Sequence, residues 1–80
     1  MGEKESREVR LPDLGAVEAF TVVQWLKVEG AEVAAGEELL EVETEKTTFV
    51  IEAPVSGRLE RIVVHEGERA LRDDLLAEIA

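Results

Sequence analysis

The chain has 80 residues, a length that supports one small domain with a single hydrophobic core. Nineteen acidic against nine basic side chains give a formal charge of −10, which disfavours nucleic acid and anionic lipid as partners and favours partners with basic surfaces. Cysteine is absent, so disulfides and thiolate zinc sites are excluded.

The beginning of the chain is polar. Residues 1–6 are predicted to form a disordered N-terminal tail, which leaves 7–80 as the folded domain. Met1 to Glu8 contain no apolar run that could act as a signal peptide, and no stretch reaches transmembrane length. We therefore expect a cytoplasmic protein, or one of the mitochondrial matrix if the source is eukaryotic.

Six apolar-rich segments separated by turn residues predict β-strands. In chain order they are Glu8–Leu11, Thr21–Val28, Leu39–Glu43, Thr48–Glu52, Arg58–Val64 and Leu75–Ile79. Residues 31–40 are ambiguous, because Ala, Glu and Leu favour a helix whereas Gly30 and Gly36 oppose a long one. A short helix there remains an alternative. Short strands with frequent turns predict an all-β barrel or sandwich.

The sequence repeats itself with a shift of 37 residues. The matched segments are Trp25-Leu26 with Ile62-Val63, Glu29-Gly30 with Glu66-Gly67, and Leu39–Val42 with Leu76–Ile79. A shift that returns both a turn and a closing strand indicates two related halves sharing one core, with 22–43 superposing on 59–80. Lys46 lies between the halves, so we expect it at one end of the molecule and the chain termini at the other.

Residues 40–51 have the symmetry of a β-hairpin around Lys46. With the turn at 44–47, one face of both strands is apolar and Lys46 is exposed at the tip. The opposed pairs are Val42 with Phe49 and Leu40 with Ile51. An amine displayed on a rigid hairpin is the arrangement that a covalent cofactor carrier needs. On these residues alone, an ordinary solvated lysine is an equally good interpretation.

The remaining candidates for chemistry give weak signals. His65 is the only histidine and has no serine close by in sequence, so a turn-surface position is expected rather than a catalytic triad. The acidic residues have neither the spacing of a calcium loop nor a His-Glu metal pattern. Trp25 and Phe49 lie on apolar strands and are predicted to belong to the core.

Several segments together carry a family resemblance. They are Leu11-Pro12-Asp13-Leu14-Gly15, Trp25-Leu26, Glu29-Gly30, Val42–Thr47 and Ala53-Pro54-Val55-Ser56-Gly57. Over nearly its whole length the chain resembles the lipoyl domains of the dihydrolipoamide acyltransferase (E2) of 2-oxo acid dehydrogenase complexes, in the biotinyl/lipoyl attachment family. The resemblance implies an all-β barrel-sandwich hybrid, a flattened barrel of two four-stranded antiparallel sheets with pseudo-twofold symmetry.

The resemblance also implies a role for the hairpin. Lys46 would carry lipoic acid through an amide, and Glu45 and Thr47 would be the flanking positions recognised by a lipoate ligase or a lipoyl/octanoyl transferase. The domain would be a non-catalytic carrier, monomeric when isolated, whose arm moves acyl groups and reducing equivalents. Its partners would be a thiamine-diphosphate-dependent decarboxylase (E1), the acyltransferase core and dihydrolipoamide dehydrogenase (E3).

The chain departs from the family pattern at three places. Glu45 stands where the family most often has aspartate, and 16–20 lack a second glycine that is common there. Asp73 replaces the glycine expected by analogy with Gly36. Aspartate tolerates left-handed backbone conformations better than most residues, so the turn is expected to survive. Two other functions remain open: a biotin carrier, although that family usually flanks its lysine with methionines, and an unmodified structural or interaction module, which would need no lysine at the tip.

Overall fold

The computed structural model describes residues 7–11 and 18–80, and all regular structure in these ranges is β. The strands are β1 (Glu8–Val9), β2 (Ala19–Trp25), β3 (Glu32–Val33), β4 (Glu38–Glu43), β5 (Thr48–Glu52), β6 (Gly57–Ile62), β7 (Arg69–Leu71) and β8 (Ala77–Ile79). They form two four-stranded antiparallel sheets, in the orders β1-β8-β6-β3 and β5-β4-β2-β7, that do not join into a closed barrel. The expected tail, the turn after Leu11 and the first two residues of the atypical 16–20 segment lie outside the described residues.

The core is a layer of apolar side chains between the two sheets. Alternation along β2 turns Phe20 and Val22 inwards, and Val42 does the same on β4. The most deeply buried large side chains are Leu39, Leu40, Leu59, Leu76, Val9, Val22 and Val42. Burying each of them contributes about 1.5–3 kcal/mol to folding. No polar or charged side chain is buried within 7–11 and 18–80, so apolar packing holds the sandwich together.

The sequence repeat is also a structural repeat. Strands β2 and β4 of one sheet correspond to β6 and β8 of the other, with the same register and the same bulge. The equivalent pairs are Val22–Val42 with Leu59–Ile79, Gln24–Glu41 with Arg61–Glu78, and Trp25–Leu40 with Ile62–Ala77. The prediction that Trp25 and Ile62 occupy related environments in two related halves is confirmed.

Reciprocal hydrogen bonds from the two Glu-Gly turns join the halves. With the donor first, the pairs are Gly30 N–H to Leu59 O (2.7 Å), Gly67 N–H to Val22 O (2.7 Å), Ile62 N–H to the Glu29 carboxylate (2.8 Å) and Trp25 N–H to the Glu66 carboxylate (2.9 Å). Each turn therefore satisfies backbone groups of the other half at a sheet bulge, where ladder partners are missing. This reciprocity explains why the Glu-Gly dipeptide recurs in the sequence.

The helical alternative for 31–40 is wrong. A tight turn separates β3 from β4, closed by the Glu37 N–H donating to Ala34 O at 2.9 Å, with Gly36 at a φ of +89°. Such a turn favours glycine because a side chain would be strained there. Leu39 and Leu40 are both buried because β4 bulges between Glu38 and Leu40, which interrupts the strand alternation.

The equivalent turn in the second half keeps its shape without glycine. The Asp74 N–H donates to Leu71 O at 3.0 Å, as in the first half, and the Asp74 carboxylate accepts from Leu71 N–H at 2.9 Å. Asp73 does not adopt a positive φ. The turn therefore survives the expected loss of glycine through ordinary backbone angles and a side-chain cap rather than through a left-handed aspartate.

The predicted strand limits need correction. β2 ends at Trp25 rather than Val28, and β6 ends at Ile62 rather than Val64, because the chain bends away from the ladder towards the Glu-Gly turns. Strands β1 and β8 are shorter than predicted, and the short strands β3 and β7 were not predicted. Trp25 and Phe49 pack against the core as partly buried residues. His65 is exposed beside its turn, with Nδ1 3.7 Å from the Glu68 carboxylate.

Candidate functional site

The hairpin formed by β4 and β5 is held by one of the longest ladders in the fold. The pairs across it are Leu40–Ile51, Glu41–Val50, Val42–Phe49 and Glu43–Thr48, which is the predicted register. Leu40, Val42 and Ile51 are buried, so the inner face of the hairpin is anchored in the core. The base of the tip is consequently fixed in position.

The turn at the tip is closed by side-chain as well as backbone hydrogen bonds. The Thr44 N–H donates to Thr47 O at 2.8 Å. The Thr44 hydroxyl donates to Thr47 O at 3.0 Å and accepts from the N–H groups of Lys46 at 3.2 Å and Thr47 at 3.1 Å. Sequence reasoning missed this role, although a threonine opening a tight turn is a known signal for such a network.

The structure places all three predicted site residues together at this tip. Lys46, Glu45 and Thr47 are exposed. Within the described ranges, the Lys46 ammonium group makes no hydrogen bond or ion pair, and the side chains of its two neighbours make none either. The amine is thus free to reach an external reactant without breaking a contact.

Lys27 provides the contrast. Its Nζ lies 2.7 Å from Glu37 Oε2, and its side chain is 28% exposed. The hydrogen bond from Lys27, together with one from the Ala34 N–H, lowers the pKa of the Glu37 carboxyl below its ordinary value of 4.5. Lys27 is therefore engaged in holding the β3–β4 turn, whereas Lys46 is displayed.

This ion pair predicts a pH dependence of stability. Because the folded pKa of Glu37 is depressed, the carboxylate stabilises the fold above pH 4.5 and loses that effect as the pH falls further. Glu37→Gln should lower the melting temperature at pH 7, and the difference from wild type should shrink below pH 4.5. Thermal melts from pH 2 to 7 would measure it, with Glu38→Gln as the unpaired neighbouring control. An equal difference at both ends of that range would refute the assignment.

The hairpin tip lies at one end of the sandwich, and the outermost described residues, Arg7 and Ala80, lie at the other. β5 runs away from the tip, and β6 begins at the far end after the connection 53–56. There Ala80 and Arg58 exchange backbone hydrogen bonds of 2.8 and 3.2 Å, and Ile79 N–H donates to Arg7 O at 2.9 Å. The prediction that Lys46 and the chain termini lie at opposite ends therefore holds for Ala80 and for Arg7, the first residue that the structure describes.

The two halves have the same backbone arrangement but differ in the charge of their side chains. The hairpin 38–52 carries five glutamates and one lysine, whereas its counterpart, 7–11 with 75–80, carries two glutamates and two arginines. In the second sheet, Arg10 bonds Glu8 at 2.7 Å and Arg61 bonds Glu78 at 3.3 Å. The hairpin carboxylates have no such partner among the described residues, and we call them the acidic hairpin face. They are Glu38, Glu41, Glu43, Glu45 and Glu52.

Sequence comparison places this chain among known domains. Residues 7–79 match the biotin/lipoyl family described as biotin-requiring enzyme. The chain is 40% identical over 73 residues to the dihydrolipoyllysine-residue succinyltransferase component of the 2-oxoglutarate dehydrogenase complex of Bartonella vinsonii subsp. berkhoffii. That match covers 90% of this chain and 18% of the relative, so the chain spans less than a fifth of the relative's length.

Two solved structures share the fold. The lipoyl domain of the 2-oxoglutarate dehydrogenase complex from Azotobacter vinelandii superposes with a TM-score of 0.76 at 26% identity, covering 94% of this chain and 96% of that one. A single-chain, multi-domain long-chain acyl-CoA carboxylase superposes with a TM-score of 0.69 at 32% identity, covering 96% of this chain and 8% of that one.

Proposed function

Because the chain belongs to the biotin/lipoyl attachment family, we propose that it is a lipoyl carrier domain whose arm is attached to Lys46. The observation that carries the proposal is the position of this lysine, exposed at the tip of a core-anchored hairpin with its amine unpaired within the described ranges. A fixed base with a free end suits an arm that must visit separate active sites. The domain is a carrier and not itself an enzyme.

Attachment requires the lysine to act as a nucleophile. The neutral Lys46 Nζ would attack the acyl carbon of an adenylate that a lipoate ligase makes from lipoate and ATP. A C–N amide bond forms, AMP leaves with the electrons of the C–O bond, and the proton lost by the amine passes to solvent. The positive charge disappears, so the formal charge of the chain changes from −10 to −11.

When bound, the lipoyl group supplies a disulfide that accepts electrons and an acyl group. The chain contributes the position of that group. Anchoring of Leu40, Val42 and Ile51 keeps the attachment point rigid, so the reach of the arm is set by the arm itself. Tethering replaces diffusion between active sites with a high local concentration of the reactive group, and this gain requires no new contact.

Lipoate is favoured over biotin by the residues beside the lysine. Glu45 and Thr47 flank Lys46, and the only methionine of the chain is Met1. The similarity to a carboxylase supports the shared fold, while the solved lipoyl domain superposes with the higher TM-score. Co-expression with both a lipoate ligase and a biotin ligase, followed by intact mass measurement, tests the choice. A lipoylated product is expected, and a biotinylated one would overturn the proposal.

Proposed partners are the decarboxylase E1, the dehydrogenase E3, the acyltransferase core and the attaching enzyme, with the isolated domain monomeric. The relative and the solved lipoyl domain from 2-oxoglutarate dehydrogenase complexes support the assignment of E1, E3 and the acyltransferase core. No helix within 7–11 and 18–80 is long and apolar enough to cross a membrane. As a separate proposal, the domain acts in the cytoplasm, or in the mitochondrial matrix of a eukaryote.

The acidic hairpin face predicts how the decarboxylase approaches. Glu41, Glu43 and Glu45, the unpaired carboxylates of this face on the part of the hairpin next to Lys46, would attract a basic rim around the active site of the decarboxylase, and the attraction would weaken with salt. Glu41→Lys with Glu43→Lys should lower kcat/KM for reductive acylation about tenfold at low ionic strength, because association rates depend strongly on such fields.

A charge-matched control separates local from global electrostatics. Glu32→Lys with Glu60→Lys also changes the formal charge from −10 to −6, since each substitution adds two, but acts on the other sheet. This variant should retain most of the activity. Equal losses in the two double variants would show that only net charge matters and that the hairpin face has no special role.

A further inference from the structure

We propose that Thr44 is the positioning residue for the lysine: its hydroxyl group fixes the turn so that the Lys46 amine points into the active site of the attaching enzyme. The proposal rests on the proposed lipoylation of Lys46 and adds a residue to it. Thr44 is half-buried and precedes the two tip residues, so its side chain lies beneath the turn instead of facing a partner.

All the hydrogen-bonding capacity of the Thr44 hydroxyl is used within the turn. A hydroxyl has one donor and two acceptor sites. The donor is used on Thr47 O at 3.0 Å, and the acceptor sites receive Lys46 N–H at 3.2 Å and Thr47 N–H at 3.1 Å. One side-chain oxygen therefore links the backbone on both sides of the lysine side chain.

The backbone alone does not supply this constraint. Two-residue hairpin turns usually have positive φ angles, which match the twist of the strands, whereas neither Glu45 nor Lys46 has one. The only backbone hydrogen bond found across this turn runs from Thr44 N–H to Thr47 O, at 2.8 Å. The amides of Lys46 and Thr47 have Thr44 Oγ1 as their partner, and without it they would face water.

The flanking side chains cannot replace this hydroxyl. Glu45 and Thr47 are exposed, and their side chains form no hydrogen bond with any described residue. They are available for contact with an enzyme but do not hold the turn. Shape and recognition are therefore assigned to different residues: Thr44 sets the direction of the amine, and its neighbours are the ones to be recognised.

The internal repeat shows that the Thr44 network belongs to the site and not to the sandwich. In the other half the equivalents of β4 and β5 are β8 and β1, which pair in the same register although they lie far apart in the sequence and no turn joins them. Both halves build the same strand ladders, yet only one of them has this hydroxyl network. Its removal should consequently disturb the turn while the two sheets stay intact.

The test compares Thr44→Val, which keeps the shape of the side chain but removes the hydroxyl, with Thr44→Ser, which restores it. Thr48→Val is the matched control, since Thr48 is an exposed threonine on the same hairpin whose side chain makes no hydrogen bond with the described residues. Each variant of the 80-residue chain is incubated with lipoate ligase, ATP and lipoate, and kcat/KM is measured. Hydrogen exchange of the Lys46 and Thr47 amides reports the turn, and circular dichroism the fold.

Thr44→Val should lower kcat/KM for lipoylation at least about tenfold, since displacements near 1 Å can cost a hundredfold. Faster exchange of the two amides should accompany the loss, while Thr44→Ser and Thr48→Val stay near wild type in both measurements. Equal modification of wild type and Thr44→Val would overturn the proposal and leave Lys46 as the lipoylation site. Failure of wild type itself to be lipoylated would instead refute the proposed function.

Discussion

Replacement of Lys46 by arginine is expected to abolish lipoylation and reductive acylation while leaving the fold intact. The guanidinium group keeps the positive charge but is not a nucleophile under these conditions. The Lys46 side chain is exposed and makes no hydrogen bond or ion pair with the described residues, so the free energy of unfolding should change by less than about 0.5 kcal/mol. Thermal melting measures stability, and the partner decarboxylase with its 2-oxo acid reports the carrier activity.

Lys27→Arg is the matched control for this variant. It makes the same chemical change at the lysine that is paired with Glu37, and it should remain a substrate of the ligase. A large loss of stability in Lys46→Arg would identify Lys46 as a structural residue. Residual lipoylation in Lys46→Arg that disappears when Lys27 is also replaced would show that the ligase can attach lipoate to Lys27 as well as to the hairpin tip.

Moving the lysine by one place, through Glu45→Lys with Lys46→Glu, is expected to reduce lipoylation about a hundredfold although composition and charge are unchanged. Strand pairing from Glu43 to Thr48 fixes the direction of each tip side chain, so a shift of one residue points the amine elsewhere. Ligase turnover is the measurement, and circular dichroism confirms folding. Undiminished modification of the relocated lysine would mean that the enzyme accepts any exposed lysine in an acidic turn.

The hairpin and the repeat were predictable because both rest on local sequence patterns. Alternating apolar residues on either side of Lys46 define one register only, since a slip by one position would turn Val42 and Phe49 to opposite faces. The 37-residue shift is visible in the recurrence of Glu29-Gly30 as Glu66-Gly67. The structure explains this recurrence, because the two turns make equivalent hydrogen bonds. Each one completes the hydrogen bonding of the other half.

The short strands β3 and β7 were not predictable from periodicity. A strand of two or three residues has too few positions to display alternation, and its pairing partners, β6 and β2, are distant in sequence. The limits of β2 were misplaced for a related reason. Leu26 to Val28 continue the apolar pattern, but the chain leaves the ladder at Trp25 to form the turn that joins the halves.

The helical alternative at 31–40 failed because local propensity was weaker than tertiary context. Ala34, Glu37 and Leu40 suit a helix, yet the Gly36 turn and pairing of β4 with both β2 and β5 bury Leu39 and Leu40 in a bulged strand. At the candidate site the position of Lys46 was predictable, whereas the role of Thr44 was not recognised. Its role depends on three hydrogen bonds that only the folded turn brings together.

The central claim is that this domain carries lipoate on Lys46, and mapping of the modified peptide tests it most directly. Folded wild-type protein is incubated with lipoate ligase, ATP and lipoate, digested, and sequenced by mass spectrometry. The account predicts that lipoate is found at Lys46, with Lys4 and Lys27 unmodified. Attachment at Lys27, or no attachment to protein shown to be folded, would contradict it.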